Sequence, residues 1–135
     1  MKKKKPLRPE LVPQHRQSLF LKGIELFNDQ EFFAAHEPWE EIWRSTTPEP
    51  RELYQGLVQL AAGMHHYSVR GNAAPAARLL SKGRRRLESL LPTSEGIALG
   101  SLLEAVLSWE HWLEEPEGAP PQPPRIKVVE RGPRR

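Results

Sequence analysis

Cysteine is absent from the 135-residue sequence, which excludes disulfide bonds and metal sites built from thiolates. Long apolar runs are also missing, because no stretch approaches the roughly 20 residues that a helix needs to cross a bilayer. Residues Lys2–Lys5 look like the start of a secretory leader, but Pro6–Glu10 follows in place of an apolar segment. We therefore expect a soluble, cytoplasmic protein without a membrane span.

Basic charge is concentrated at the two ends of the chain. Residues 1–13 hold four consecutive lysines and three prolines, and residues 116–135 hold six prolines. Such segments do not build a core, so we predict one domain, residues 14–115, between two Pro-rich tails. That domain carries 10 Lys/Arg against 14 Asp/Glu, a net charge of −4, although the whole chain is +3. The tails predict at most weak nucleic-acid contact, and solubilising extensions are the simpler interpretation. Oligomerisation is left open.

Helical periodicity dominates residues 14–115, and the one strand-like segment, Ile126–Val129, falls in the C-terminal tail. Caps and breakers divide the domain into five helices. We predict helices over 14–28 and 30–45, from Thr47-Pro48 to Gly71, from Asn72 to Leu91, and after a break at Pro92–Glu95. Short connections then predict an all-α fold, a five-helix antiparallel bundle. The third helix is apolar almost all round, so we expect it to be the buried central helix.

Two ionisable side chains interrupt the apolar stripe of the second helix. At about 100° per residue, His36 and Glu40 share one stripe with four aromatic residues. The four are Phe32, Phe33, Trp39 and Trp43. A histidine and a carboxylate in that frame should be buried, and buried charge needs a partner. A narrow polar stripe on the third helix offers partners, so we predict a polar cluster between the two helices. Its members are His36, Glu40, Gln55, Gln59 and His66.

Three interpretations of this cluster are open. A closed hydrogen-bond network would fix the register of the two helices, since each unpaired member costs about 1–3 kcal/mol. Alternatively, His36, Glu40 and His66 would bind a divalent metal (Fe, Mn or Zn) in an enzyme that uses Glu37 as acid/base group. Proton transfer without metal is the third. The pattern His36-Glu37-x-x-Glu40 is not the zinc-hydrolase motif, which has a second histidine at the position of Glu40.

Two further polar groups carry less weight. Lys82 and Arg84–Arg86 form a basic turn that could meet phosphate, although such runs are more typical of a solvated helix face. Glu110-His111, near the end of the last predicted helix, is interpreted as a surface pair.

The residues of the polar cluster also resemble a known family. Three stretches carry the likeness: Phe27–Arg44, Tyr54–His66 and Gly71–Leu80. Over roughly residues 20–91 the chain resembles the small all-helical bacterial and archaeal proteins catalogued as domain of unknown function 309. The resemblance implies a compact helical bundle and brings no established activity, cofactor or substrate. We therefore expect a small helical binding or interaction module with a structural polar network.

Overall fold

The computed structural model describes residues 11–45 and 48–129. Within these ranges the helices are α1 (Pro13–Asn28), α2 (Phe32–Trp43), α3 (Arg51–Arg70), α4 (Ala73–Glu88) and α5 (Gly100–Glu114). The same ranges hold three two-residue strands, β1 (Thr93–Ser94), β2 (Ile97–Ala98) and β3 (Lys127–Val128), in one antiparallel sheet of order β1-β2-β3. The predicted all-α class with five helices is confirmed. None of the helices in these ranges has the length and apolar character that crossing a membrane requires.

Helix α2 is seated on α1 through a close approach at a glycine. The indole of Trp39 lies against Gly23, where an added Cβ would come within 2.2 Å of Trp39 Nε1. That nitrogen donates a hydrogen bond to the carbonyl of Phe20 at 3.2 Å. Pro38 removes one backbone donor from α2, yet the helix continues through it because buried side chains anchor both halves. These are Phe32, Ala35, Trp39 and Ile42.

Helix α3 is the central helix, packed between α2 and α4. It comes close to α4 at glycines, since a Cβ on Gly83 would lie 2.8 Å from the Gly56 carbonyl oxygen. Its C-terminal stop at Gly71 is confirmed, with φ of 65° in the left-handed region. Its start is later than predicted, because α3 begins at Arg51 after Pro50; Thr47 lies outside the described residues. One face of α3 stays open, and Val69 on it is 67% exposed.

The segment between α4 and α5 is a hairpin, which corrects the expected restart of a helix at Pro92–Glu95. Its two central residues, Glu95 and Gly96, have φ of 48° and 81°. A two-residue hairpin turn of type I′ needs positive φ at both positions, and glycine adopts it without strain. The fifth helix therefore begins only at Gly100.

The C-terminal segment up to Val129 packs on the domain, so the predicted tail beginning at Pro116 is wrong over residues 116–129. Asn28 holds Ile126 by two hydrogen bonds, from its Nδ2 to the Ile126 carbonyl (2.9 Å) and to its Oδ1 from the Ile126 N–H (2.7 Å). Trp109 Nε1 donates to the Gln122 carbonyl at 2.8 Å. The side-chain amide of Asn28 and the indole of Trp109 thus form hydrogen bonds with backbone groups of this extended, Pro-rich segment. The Ile126 side chain is buried. Residues 130–135 and the lysines of residues 1–10 lie outside the described ranges.

Candidate functional site

The polar residues of α2 lie at the edge of its buried face, which corrects the expectation that an aromatic frame buries them. The aromatic residues of the stripe do not all face the core. Phe32 and Trp39 are buried, whereas Phe33 is 59% exposed. The side chains of His36 and Glu40 retain 26% and 35% of their exposure. Both groups therefore keep contact with solvent, and their charge does not have to be compensated within a sealed core.

His36 and Glu40 find their partners on their own helix. His36 Nδ1 lies 2.5 Å from the carbonyl oxygen of Phe33, and its Nε2 lies 3.3 Å from Glu40 Oε2. Both partners are hydrogen-bond acceptors, so a ring nitrogen that carries a proton donates to the oxygen beside it. Glu40 Oε1 is in turn 3.2 Å from Arg44 Nη2. The result is a chain of i,i+3 and i,i+4 contacts along one edge of α2.

The polar residues of α3 do not bond across to this edge. Gln59 Oε1 accepts from Arg86 Nε of α4 at 3.0 Å. His66 Nδ1 is buried and has no hydrogen-bond partner. Among the described residues, no hydrogen bond joins His36 or Glu40 to the polar stripe of α3. The five predicted residues thus border one seam between α2 and α3 without forming the closed network predicted for them.

Two adjoining cavities open along this seam, and we call them together the α2/α3 groove. One, of about 290 Å³, is the histidine cavity, whose lining includes Phe33, His36, Val58, His65, His66 and Arg70. The other, of about 270 Å³, is the glutamine cavity, lined by Glu40, Trp43, Gln55, Val58 and Gln59. Val58 lines both and marks the junction between them. The five residues of the predicted cluster therefore all line the groove, His36 and His66 in the histidine cavity and Glu40, Gln55 and Gln59 in the glutamine cavity.

One residue in the lining of each cavity has a ring nitrogen that the protein leaves unsatisfied. His66, of the histidine cavity, and Trp43, of the glutamine cavity, have Nδ1 and Nε1 buried without a hydrogen-bond partner in the described structure. An unpaired buried polar atom costs about 1–3 kcal/mol, and such atoms are uncommon in folded proteins. A bound molecule or an ordered water that meets these two atoms would recover that cost.

The residues proposed for metal chemistry are only partly brought together. His36 and Glu40 are adjacent, but no group of three or more His, Asp or Glu side chains within residues 11–45 and 48–129 is placed to hold a metal ion. Glu37 is exposed and lines a third cavity, of about 560 Å³, between α1 and α2. His36 and Glu40 also line that cavity, whereas His66 does not. The Fe, Mn or Zn site and the acid/base role of Glu37 stay predictions.

An ion pair between α4 and α5 corrects the surface interpretation of Glu110 and of Arg84, whereas Lys82 and Arg85 of the basic turn are exposed, as expected for a solvated helix face. Glu110 is 7% exposed, and Arg84 donates to both of its oxygens, from Nε at 2.5 Å and Nη2 at 3.0 Å. These bonds raise the pKa of Arg84 above its ordinary value, and Glu88 contributes a further contact. The sequence did contain a signal, because Glu110 follows Leu103 and Val106 at helical spacing on the apolar face of α5.

The residues that line the groove fall within one segment, and this segment matches a family of known proteins. Residues 20–79 are similar to DUF309, a domain of unknown function. The DUF309 match covers most of α1, all of α2 and α3 and the start of α4, so it includes both walls of the groove. Arg84 and Glu110 lie beyond it. No curated protein and no solved structure matches the chain. The resemblance expected from the sequence is confirmed, and it carries no assigned activity.

Proposed function

We propose that the protein is a small ligand-binding module whose site is the α2/α3 groove. The observation that carries this proposal is the pair of buried, unpartnered ring nitrogens, His66 Nδ1 and Trp43 Nε1, which belong to residues that line the two adjoining cavities. A hydrogen-bond network that served only to hold two helices together would pair its own donors and acceptors. Here two residues that line the cavities each keep a buried ring nitrogen without a partner, and that arrangement favours recognition of a second molecule.

The composition of the groove supports the same conclusion. Ligand sites in proteins are concave, with an apolar lining and a few polar groups that orient the bound molecule. In the groove, Val58 and Ala62 of α3 supply apolar surface, and the histidines and glutamines supply hydrogen bonds at either end. Its walls are the two helices themselves, so the polar groups are held on rigid elements.

The central helices also give the groove a stable base. α3 packs through Leu57, Leu60 and Met64, which are at most 2% exposed. On the other wall, Trp39 and Ile42 are 0% exposed. Buried apolar side chains in close packing keep the backbone in one arrangement. The groove therefore has the character of a preformed site, for which little ordering is needed on binding.

Fragment binding followed by NMR tests this proposal. Uniformly ¹⁵N-labelled protein is titrated with a mixture of small aromatic fragments, and we expect amide shifts to cluster at Phe33, Val58 and His66. Val58→Trp should abolish these shifts, because the indole fills the junction of the two cavities. Leu107→Trp is the matched control, since Leu107 is a 39% exposed residue of α5, away from the groove. Shifts that cluster elsewhere, or that survive in Val58→Trp, would refute the site.

The cellular compartment of the protein and its contact with nucleic acid also belong to the proposal. We keep the cytoplasm as the expected compartment, to be checked by cell fractionation. Weak nucleic-acid contact is supported by the four consecutive lysines, Lys2–Lys5. Replacing all four by glutamine in the full chain should then abolish salt-sensitive binding to a nucleic-acid duplex. In the basic turn, Arg84 and Arg86 are engaged by Glu110 and Gln59, which leaves the exposed Lys82 and Arg85 for such a contact.

A further inference from the structure

We infer that the histidine cavity of the α2/α3 groove selects a small planar anion, an aromatic carboxylate. The inference rests on the proposed function and names the ligand class for one half of the same site. The cavity volume of about 290 Å³ is at the lower end of the range of roughly 300–1,000 Å³ found for ligand pockets. A molecule of one or two rings fits this size.

The polar lining of the cavity favours negative charge. Its polar residues are His36, His65, His66 and Arg70, and no Asp or Glu of the described chain lines it. His36 is already engaged at both nitrogens by groups of its own helix. His65, His66 and Arg70 therefore remain for a ligand, and within residues 11–45 and 48–129 no carboxylate is paired with any of the three. A guanidinium recognises a carboxylate by two parallel hydrogen bonds.

The aromatic lining favours a flat ligand. Phe33 is 59% exposed, and its ring centroid lies 5.0 Å from that of His36 and 5.1 Å from that of His65. These three rings form a row at the mouth of the cavity. An aromatic ligand would cover the exposed face of Phe33 and gain both apolar burial and the ring contacts that aromatic pairs prefer at 4.5–7 Å.

The apolar residues of the cavity favour an aromatic carboxylate over a bare inorganic anion. Phe32, Val58 and Ala62 also line the cavity, and a small hydrated ion would leave their surface in water. A ring that carries one carboxylate covers this apolar surface and places its charge toward Arg70. The buried His66 Nδ1, which has no partner in the protein, then donates a hydrogen bond to the ligand carboxylate in the tautomer in which Nδ1 carries the proton.

Calorimetric titration of the full-length protein with four probes tests the ligand class. The probes are 2-naphthoate, its neutral analogue 2-naphthamide, cyclohexanecarboxylate and inorganic phosphate. We expect 2-naphthoate to bind one to one and at least about tenfold more tightly than each of the other three, a ratio equivalent to 1.4 kcal/mol. Naphthamide tests the charge, cyclohexanecarboxylate tests the planar ring, and phosphate tests the apolar contribution.

Two variants assign the binding to the proposed groups. Arg70→Gln should weaken 2-naphthoate about tenfold and leave 2-naphthamide unchanged, because only the charged contact is removed. Phe33→Leu should weaken the binding of both aromatic probes, 2-naphthoate and 2-naphthamide, by the same factor. Arg78→Gln is the matched control, since Arg78 is an exposed arginine of α4 that does not line the cavity. Arg70 and Phe33 are both exposed, so the variants should retain the wild-type melting temperature.

The outcomes separate this inference from the proposed function. Equal binding of 2-naphthoate and 2-naphthamide, or full affinity of Arg70→Gln for 2-naphthoate, would overturn the inference. If 2-naphthoate does not bind while other fragments still shift the amide signals of Val58 and His66, the proposed ligand class is wrong and the proposed binding site stands. If neither 2-naphthoate nor any fragment contacts the groove, both proposals fail.

Discussion

Replacing Gly23 by alanine tests how the structure holds α2, and with it one wall of the groove. The new Cβ would lie 2.2 Å from Trp39 Nε1 and 2.4 Å from Trp39 Cε2. Ordinary contacts begin near 3.4 Å, so the ring has to move by about 1 Å. Trp39 is 0% exposed and has no free space into which it can turn.

The expected magnitude follows from three contributions. Overpacking a filled core costs about 1–3 kcal/mol, and loss of the hydrogen bond from Trp39 to the Phe20 carbonyl costs about 1 kcal/mol more. Alanine in the helix interior recovers about 0.5–1 kcal/mol relative to glycine. The sum predicts a net loss of about 2 kcal/mol, or a fall in melting temperature of roughly 8 °C for a domain of this size.

Thermal and urea unfolding followed by circular dichroism measure this loss. Gly100→Ala is the matched control, because an added Cβ at Gly100 meets nothing within 4 Å and should leave stability unchanged or slightly raised. A Gly23→Ala protein as stable as Gly100→Ala would refute the packing of Trp39 on α1. In the expected case, amides of α2 that border the groove, such as those of His36 and Glu40, should also shift in the NMR spectrum.

Three further predictions concern the ion pair, a buried tyrosine and the C-terminal segment. Glu110→Gln should lower the unfolding free energy by about 2 kcal/mol, since Arg84 loses one of its two carboxylate partners in a part-buried site and keeps Glu88. The exposed Glu114→Gln is the control, and an equal effect of both changes would contradict the assignment. Burial raises the pKa of Tyr54 above the ordinary 10.0, against a smaller lowering by Arg16. Its neutral form is therefore favoured in the folded state, and its contribution to stability is complete below pH 10 and falls as the pH rises through the folded-state value. Tyr54→Phe should make the unfolding free energy less dependent on pH above 10. Urea titrations at several pH values measure this dependence, and the same dependence in the variant and the wild type would speak against the burial. Asn28→Ala removes two hydrogen bonds to Ile126 and should cost about 2 kcal/mol, with faster proteolysis of residues 116–129; cleavage at the wild-type rate would show that Asn28 does not hold the segment.

Local signals in the sequence identified most of the helical fold. The apolar period of α1 to α5 is visible without any tertiary information, and Gly71 ends α3 as its position predicts, because a left-handed residue after a helix is a local requirement. The hairpin at Glu95-Gly96 was missed, since the short strand β2 is held by pairing with β3, about 30 residues further along the chain. Long-range pairing of this kind leaves little trace in local composition.

The candidate site was predicted in its members but not in its arrangement. Helical spacing places His36 and Glu40 on one stripe of α2, yet it does not say where the edge of the neighbouring helix falls across that stripe. In the structure Phe32 is buried and packs on Phe27 of α1, whereas Phe33 stays 59% exposed beside His65 of α3. The polar residues consequently border a groove. Glu110 shows the reverse case, because a residue interpreted as exposed is buried against Arg84.

The amino-acid sequence by itself determined the helical class, the approximate limits of the helices, the absence of thiol chemistry and the polar residues of interest, because these depend on composition and on contacts within a few residues. Only the tertiary structure decided which of those residues are sealed and which are open, that residues 116–129 join the domain, and that His66 and Trp43 each keep an unpartnered nitrogen. Burial and pairing depend on two surfaces brought together, and the sequence of a single helix describes only one of those two surfaces.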